Sequence, residues 1–379
     1  MKNFFFFMVS LMTIAIGTAA TEKNNNSFST SSFISDDDSY GAGCDFLAQG
    51  DTVNAGKCFH KGAKAGNVES MYVYALFKMG GMGGIKANPK AGLRMIQQAA
   101  NKGNTNALCF LGELYESGEY GYPVNKPEAL KLYMKASQAG SLDGHIACGN
   151  TYWQNGDTAL AMQYWAKAVE DAIPYFVHDE QRDALSQITY NLGWLYQNGD
   201  DQDLLAAADY YQQSVLYGNT KEAAFQLGII YLDGANIYEP NLELATDCLL
   251  MAADAGVVEA CAYIGDMLRI SGADEQAMFY YLEGANGGDQ NAMYALAEIY
   301  YDRGEFDSAV YWASLCPDNV LAIYLLGCIY YVQEDLLQAE YYWEQCAYRF
   351  HHADAIKMLR MLYTGESEWC DSNNGFIRT

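Results

Sequence analysis

Five histidines, His60, His145, His178, His351 and His352, and ten cysteines are the residues of this 379-residue chain best suited to metal or nucleophile chemistry. His351, His352 and Asp354 form the densest cluster of ligand types, and His178, Asp179 and Glu180 the second. A protein-held metal needs three or four convergent ligands. Histidines beside an acid in a loop read first as solvated, so neither a metal nor a cofactor is expected. No C-x-x-C, H-E-x-x-H, phosphate-loop or G-x-S-x-G spacing occurs. The spacings therefore offer no nucleophile with a base beside it, and the chain is expected not to be an enzyme. An even cysteine count suggests disulfides where the compartment is oxidising. Cys44 with Cys58 is one candidate bond, and Cys316, Cys328, Cys346 and Cys370 are a second candidate set. Cys148, Cys316 and Cys346 stand where small residues recur, and they read equally well as buried free thiols.

Charge and composition narrow the function classes. Acidic residues outnumber basic ones 47 to 22, for a formal charge of −25. A polyanion gains nothing from counterion release on a phosphate backbone, so general nucleic-acid binding is not expected. With 51% hydrophobic residues the chain can bury a core, and its 31 tyrosines suit helices with aromatic faces. Lys2, the apolar run from Phe4 to Gly17 and the small residues Thr18, Ala19 and Ala20 read as a secretory signal over 1–20, which predicts a periplasmic or secreted protein. That run is shorter than the roughly 20 residues of a membrane span, and no longer one follows, so no membrane span is expected. Residues 21–43, rich in Asn, Ser and Asp, carry too little apolar area to offset ordering entropy and read as a flexible leader.

The elements that would position side chains come from a repeat. A small residue is followed by an apolar residue four later, glycine five later, tyrosine eight later and a loop glycine near eleven later, as in Ala107, Leu111, Gly112, Tyr115 and Gly118. Nine such anchors, Ser70, Ala107, Gly144, Ile188, Ala223, Ala260, Ala292, Ala322 and Ala355, are spaced 37, 37, 44, 35, 37, 32, 30 and 33 residues apart, a solenoid period. Between anchors lies a second motif: a small residue, a bulky pair at plus three and plus four, a small residue at plus seven and often glycine at plus eleven. Ala129, Leu132, Tyr133, Ala136 and Gly140 show it, as do Ala207, Ala277, Ala161 and Ala339 with their followers. Spacings of three, four and seven fall on one helical stripe, so each repeat reads as two antiparallel helices. The 44-residue interval, with Pro174 and Tyr175 to Arg182, predicts a longer loop or a lengthened helix, and Pro317 interrupts an expected second helix.

These motifs resemble the Sel-one-like repeat (SLR) family, relatives of the tetratricopeptide repeats, whose helices read A-x-x-x-L-G-x-x-Y-x-x-G and A-x-x-W-Y-x-K-A-A. Lys135 with Ala136 and Lys167 with Ala168 occupy the K-A positions. The resemblance spans about residues 44–366, leaving 367–379 as a tail. It implies an all-α, right-handed solenoid of about nine antiparallel helix pairs. It also implies a non-catalytic interaction scaffold that holds a protein or peptide partner on its concave face.

At 100° per residue, first-helix positions minus one, plus two, plus six and plus nine lie opposite the core stripe. That face would carry Tyr72, Glu113, Glu116, Trp153, Tyr190, Trp194, Phe225, Asp266, Tyr294, Glu298, Tyr301, Tyr324 and Tyr331. Aromatics supply contact area at low rotamer cost and carboxylates steer cations, so an extended basic or aliphatic segment is the expected ligand. The competing reading packs several of these tyrosines between repeats. Two other functions use the same surface: an envelope hydrolase or carbohydrate-binding protein with aromatic sugar platforms, and a secreted factor acting on host cells.

Overall fold

A computed structural model describes residues 39–172, 179–200, 202–234 and 240–364. The expected signal segment, His178, Cys370 and the tail lie outside the described residues. The described residues form nineteen α-helices, one 3-10 turn and no strand, in two compact units. The first unit, ending at Asn219, holds α1 (Ser39–Ala48), α2 (Thr52–Ala65), α3 (Val68–Gly80), α4 (Pro89–Asn101), α5 (Thr105–Ser117), α6 (Lys126–Gln138), α7 (Leu142–Gln154), α8 (Thr158–Asp171), α9 (Asp179–Asn198) and α10 (Leu204–Leu216). The second, from Thr220, holds α11 (Glu222–Asp233), α12 (Leu242–Asp254), α13 (Val258–Ile270), α14 (Asp274–Asn286), α15 (Gln290–Asp302), α16 (Phe306–Ser314), α17 (Val320–Val332), α18 (Leu336–Phe350) and α19 (Ala353–Thr364).

Each odd-numbered helix up to α17 packs most closely on the helix that follows it, giving nine hairpins within the two units. Short polar side chains start the helices. Asn104 accepts a hydrogen bond from the Ala107 amide at 2.8 Å, Ser141 from Gly144 at 3.2 Å and Asn319 from Ala322 at 3.2 Å, each satisfying an otherwise orphaned donor of the first turn. The glycine at plus eleven ends the second helix in a left-handed turn, with φ of 79° at Gly140 and 98° at Gly288, where a Cβ would strain the backbone.

The hairpin closes on a ring set into a gap. A Cβ built on the first-helix glycine would stand 2.4 Å from the Tyr133 ring at Gly112, 2.3 Å from Trp165 at Gly149, 2.8 Å from Tyr211 at Gly193, 2.5 Å from Tyr281 at Gly265 and 2.4 Å from Trp343 at Gly327. The ring is the second-helix plus-four residue each time, so the missing methyl is what lets it in. Where Ala297 replaces the glycine, the plus-four residue shrinks to Ala313, and both are buried. The small residue at plus seven brings the two helices together again: Ser214 Oγ donates to the Ser186 carbonyl at 2.7 Å, Cys316 Sγ to that of Gln290 at 3.5 Å and Cys346 Sγ to that of Val320 at 3.5 Å.

Helix α1 begins at Ser39, inside the stretch read as leader, and α1 with α2 makes a hairpin that no anchor marked. A Cβ built on Gly43 would stand 2.6 Å from the Phe59 ring, the same closure as in later repeats. The ninth anchor, Ala355, sits on α19, which has no following partner among the described residues. The long interval resolves into a 20-residue α9. Pro317 follows a nine-residue α16, shorter than the thirteen residues of α14.

Candidate functional site

Within each unit the first helices of successive hairpins touch: α5 with α7 and α7 with α9, α13 with α15 and α15 with α17. Their outward face rests on the closing rings. Trp153 leans on Trp165 with centroids 5.5 Å apart, Tyr190 on Tyr211 at 5.7 Å and Tyr331 on Trp343 at 5.4 Å, all tilted by 43° to 48°. The rings also reach this face with their polar ends. Tyr133 donates to Glu116 at 3.0 Å, Trp165 to Asn150 at 3.0 Å, Tyr211 to Gln197 at 2.6 Å and Tyr281 to Asp266 at 2.6 Å. Burial, and then the adjoining carboxylate, push the Tyr133 and Tyr281 phenols well above their ordinary range, so they remain donors.

This arrangement divides the expected partner-facing residues. Tyr72 is only 3% exposed, packed in the core of the first hairpins, and offers no surface to a partner. Its position at plus two points at a neighbouring helix, as the packing alternative allowed. Glu116 and Glu298 are committed to the fold: Glu298 accepts from Tyr294 at 2.7 Å and from Arg269 at 3.1 Å, with Asp302 3.9 Å from the same guanidinium. Arg269, a cation at plus nine that the acidic picture of the face left out, thus neutralises part of it. Phe225 meets Tyr263 edge-on at 5.8 Å, Tyr301 packs on Phe306 at 5.9 Å and Tyr324 on His352 at 4.9 Å, leaving each half-buried. Five expected residues keep a large accessible surface: Glu113, Trp153 at 41%, Trp194 at 46%, Asp266 and Tyr331. The first three lie on α5, α7 and α9 of the first unit.

Cys44 stands on α1 and Cys58 on α2, and no disulfide joins them, unlike the expected bond. Cys44 is sealed into the core, while Cys58 is half-exposed. Cys148, Cys316 and Cys346 are buried free thiols, pushed up by desolvation to about 12, about 11 and about 12. The terminal histidines serve the backbone: His351 closes α18 with φ 53°, and the ring of His352 accepts from the Ala355 amide at 3.3 Å to start α19.

One cluster was illegible in the sequence. Ser137 Oγ on α6 lies 2.7 Å from Nδ1 of the fully buried His145 on α7, and Nε2 lies 3.0 Å from Asp171 Oδ2 at the end of α8, off the line of a good hydrogen bond. Spacings of 8 and 26 residues match no motif, and only the stacking of three helices joins them. Burial lowers the ring's basicity, Lys167 adds to this and Asp171 opposes it. Ser137 is itself buried, so its hydroxyl meets no substrate; the trio ties one hairpin to the next.

Six stretches, residues 68–104, 105–141, 189–216, 221–257, 259–289 and 290–314, match the Sel1 repeat, and together they cover just over half of the chain. The chain belongs to the Sel1 repeat family. The Sel1-repeat-containing protein YjcO of Escherichia coli K12 is 25% identical over 228 residues, 57% of this chain and 91% of that protein. The crystal structure of c5321, described as a protective antigen of uropathogenic Escherichia coli with an SLR fold, superposes with a TM-score of 0.54 at 23% identity, covering 83% of this chain and 76% of that one. A Sel1 repeat protein of Oxalobacter formigenes gives a TM-score of 0.48 at 20% identity, over 81% of this chain and 89% of that one. The Sel1 matches begin at Val68 and end at Ser314, yet α1 with α2 and α17 with α18 close in the same way, as Gly43 on Phe59 and Gly327 on Trp343 attest. Sel1 repeats typically mediate protein–protein interaction, and their fold is generally a non-catalytic scaffold. No described helix is long and apolar enough to cross a membrane.

Proposed function

We propose that this Sel1-repeat protein is a non-catalytic adaptor of the cell envelope or extracellular space. In this reading an extended protein segment with apolar and basic side chains lies across the first helices of the N-terminal unit. The observation that carries the reading is the exposure of Trp153 and Trp194, at 41% and 46%, on adjacent first helices. Tryptophan is costly to leave in water and is over-represented at binding hot spots. Both lie on the face that Glu113 shares, so a cationic residue flanking the apolar contact finds a carboxylate. The segment 1–20 supports export.

Crosslinking and mass spectrometry in the native envelope identify the partner, and affinity for that partner is then measured with variants. Trp194→Ala and Trp153→Ala each lower affinity by about 30-fold, the worth of a hot-spot tryptophan at about 2 kcal/mol, and Glu113→Lys lowers it by less. Glu116 is left intact because it holds Tyr133. Unchanged affinity in both tryptophan variants, with native helicity, overturns the assignment. A glycan-array signal lost in the same variants would move the function to carbohydrate binding.

A further inference from the structure

Position plus two of the second helix faces away from the buried stripe in all nine hairpins, and every residue there is exposed. Read along the chain it runs Lys57, Arg94, Lys131, Gln163, Asp209, Asp247, Phe279, Tyr311, Tyr341. Three cations in consecutive hairpins of the N-terminal unit are matched by three aromatics in consecutive hairpins of the C-terminal unit. The surrounding charge follows the same division. Residues 39–101 hold seven Lys or Arg and three Asp or Glu, whereas residues 220–364 hold six and 22.

The aromatic row is built with care. Phe279, Tyr311 and Tyr341 are 59%, 58% and 53% exposed. Each is propped edge-on by the residue after it: Phe279 on Tyr280 at 5.4 Å and 84°, Tyr311 on Trp312 at 5.1 Å and 77°, Tyr341 on Tyr342 at 5.2 Å and 78°. Three pairs of like geometry fix the rings as platforms, with Asp307 on the helix of Tyr311 and Glu340 and Glu344 on that of Tyr341. On the cationic row, Lys57 donates to Asn54 at 3.1 Å and feels the charge of Asp51 at the start of its own helix, and Lys131 pairs with the exposed Glu128 of its own helix at 3.0 Å.

We infer that these two rows are the halves of one self-association interface, the cationic face of one copy docking on the aromatic, acidic face of a second copy. Each row advances one residue per hairpin, so the step of both rows is one repeat of the solenoid. A cation over each ring, with a carboxylate beside it, satisfies both rows at once. The two faces are different patches of the chain, so every copy offers one of each and every contact pairs a cationic row with an aromatic one. This surface lies on the second helices and is separate from the partner face proposed above.

Sedimentation velocity of the full chain over a range of concentrations tests it. At about 0.01 M salt the average mass rises with concentration, and at about 1 M salt, where the Debye length shrinks to about 3 Å, the chain is monomeric. The triple variant Lys57→Glu, Arg94→Glu, Lys131→Glu weakens association on the order of 10- to 100-fold and the double variant Tyr311→Ser, Tyr341→Ser about 4- to 25-fold, at two- to fivefold per lost cation–ring contact with charge repulsion added in the first. Mixed together, the two variants pair through their one intact contact and stop at dimers. A full chain that stays monomeric at low salt overturns the proposal, and so do variants that associate like the parent. Binding of a monomeric full chain to anionic phospholipid vesicles through Lys57, Arg94 and Lys131 would assign the cationic row to a lipid surface instead.

Discussion

The closure of each hairpin can be tested by asking whether Gly149 and Trp165 are energetically one unit. Adding a methyl in Gly149→Ala places a carbon 2.3 Å from Trp165 Cδ1 and 2.5 Å from Nε1, inside any permitted contact. The indole is fully enclosed and is held by its hydrogen bond to Asn150, so it has nowhere cheap to go. Overpacking of this kind costs about 1–3 kcal/mol, against which alanine returns up to about 1 kcal/mol of helix propensity. Trp165→Ala alone costs about 3–5 kcal/mol through the cavity it leaves. In the double variant the methyl enters vacated space, reproducing the Ala297 and Ala313 pair that the protein already uses. The double variant is therefore expected to be no less stable than Trp165→Ala, short of additivity by at least about 1 kcal/mol. Urea denaturation followed by helical circular dichroism measures the cycle, with m-values checked because repeat arrays can unfold in parts. Strict additivity would refute the ring-in-gap account.

Two other predictions use the buried polar contacts. His145 has a folded-state pKa held below its unfolded value of about 6.5, so its contribution is complete above that pH and is lost as pH falls through the folded value. The urea midpoint of the parent should drop on acidification below about pH 6.5, and His145→Asn should flatten that part of the profile; an unchanged slope would show that His145 takes no part. Cys346→Ser is expected to cost less than about 1 kcal/mol, since Ser214 already makes the equivalent hydroxyl bond, to Ser186 at 2.7 Å. Alkylation of the native chain should reach half-exposed Cys58 well before Cys346, whose thiol burial raises to about 12, and equal rates would place Cys346 in an open environment.

The sequence made the hairpins legible because a helix that cannot bury its stripe alone advertises the stripe at spacings of three, four and seven, and eight repetitions in phase leave little freedom. Gly112 with Tyr133 could be seen as two periodic residues, but not as a gap and the ring that fills it. The first hairpin went unmarked because its anchor position lies before Ser39 and its small and bulky residues, Ala55 and Phe59, lack the tyrosines of later copies. The expected partner-facing residues divide between packed and accessible for a geometric reason. An angle about one helix axis says which residues leave the core of that hairpin, not which of them meet the next hairpin. Tyr72 and Phe225 meet neighbours, Glu116 and Glu298 are claimed by Tyr133 and Tyr294, and Trp153 and Trp194 stay accessible.

Residue type and period, then, determined the helices, their pairing and the repeat family, because these depend on contacts between residues close in the chain. The joining of Ser137, His145 and Asp171, and the pairing of Glu298 with Arg269, were decided by the stacking of one hairpin on the next. Those contacts connect residues whose separation follows no period, so only the packed helices could reveal them.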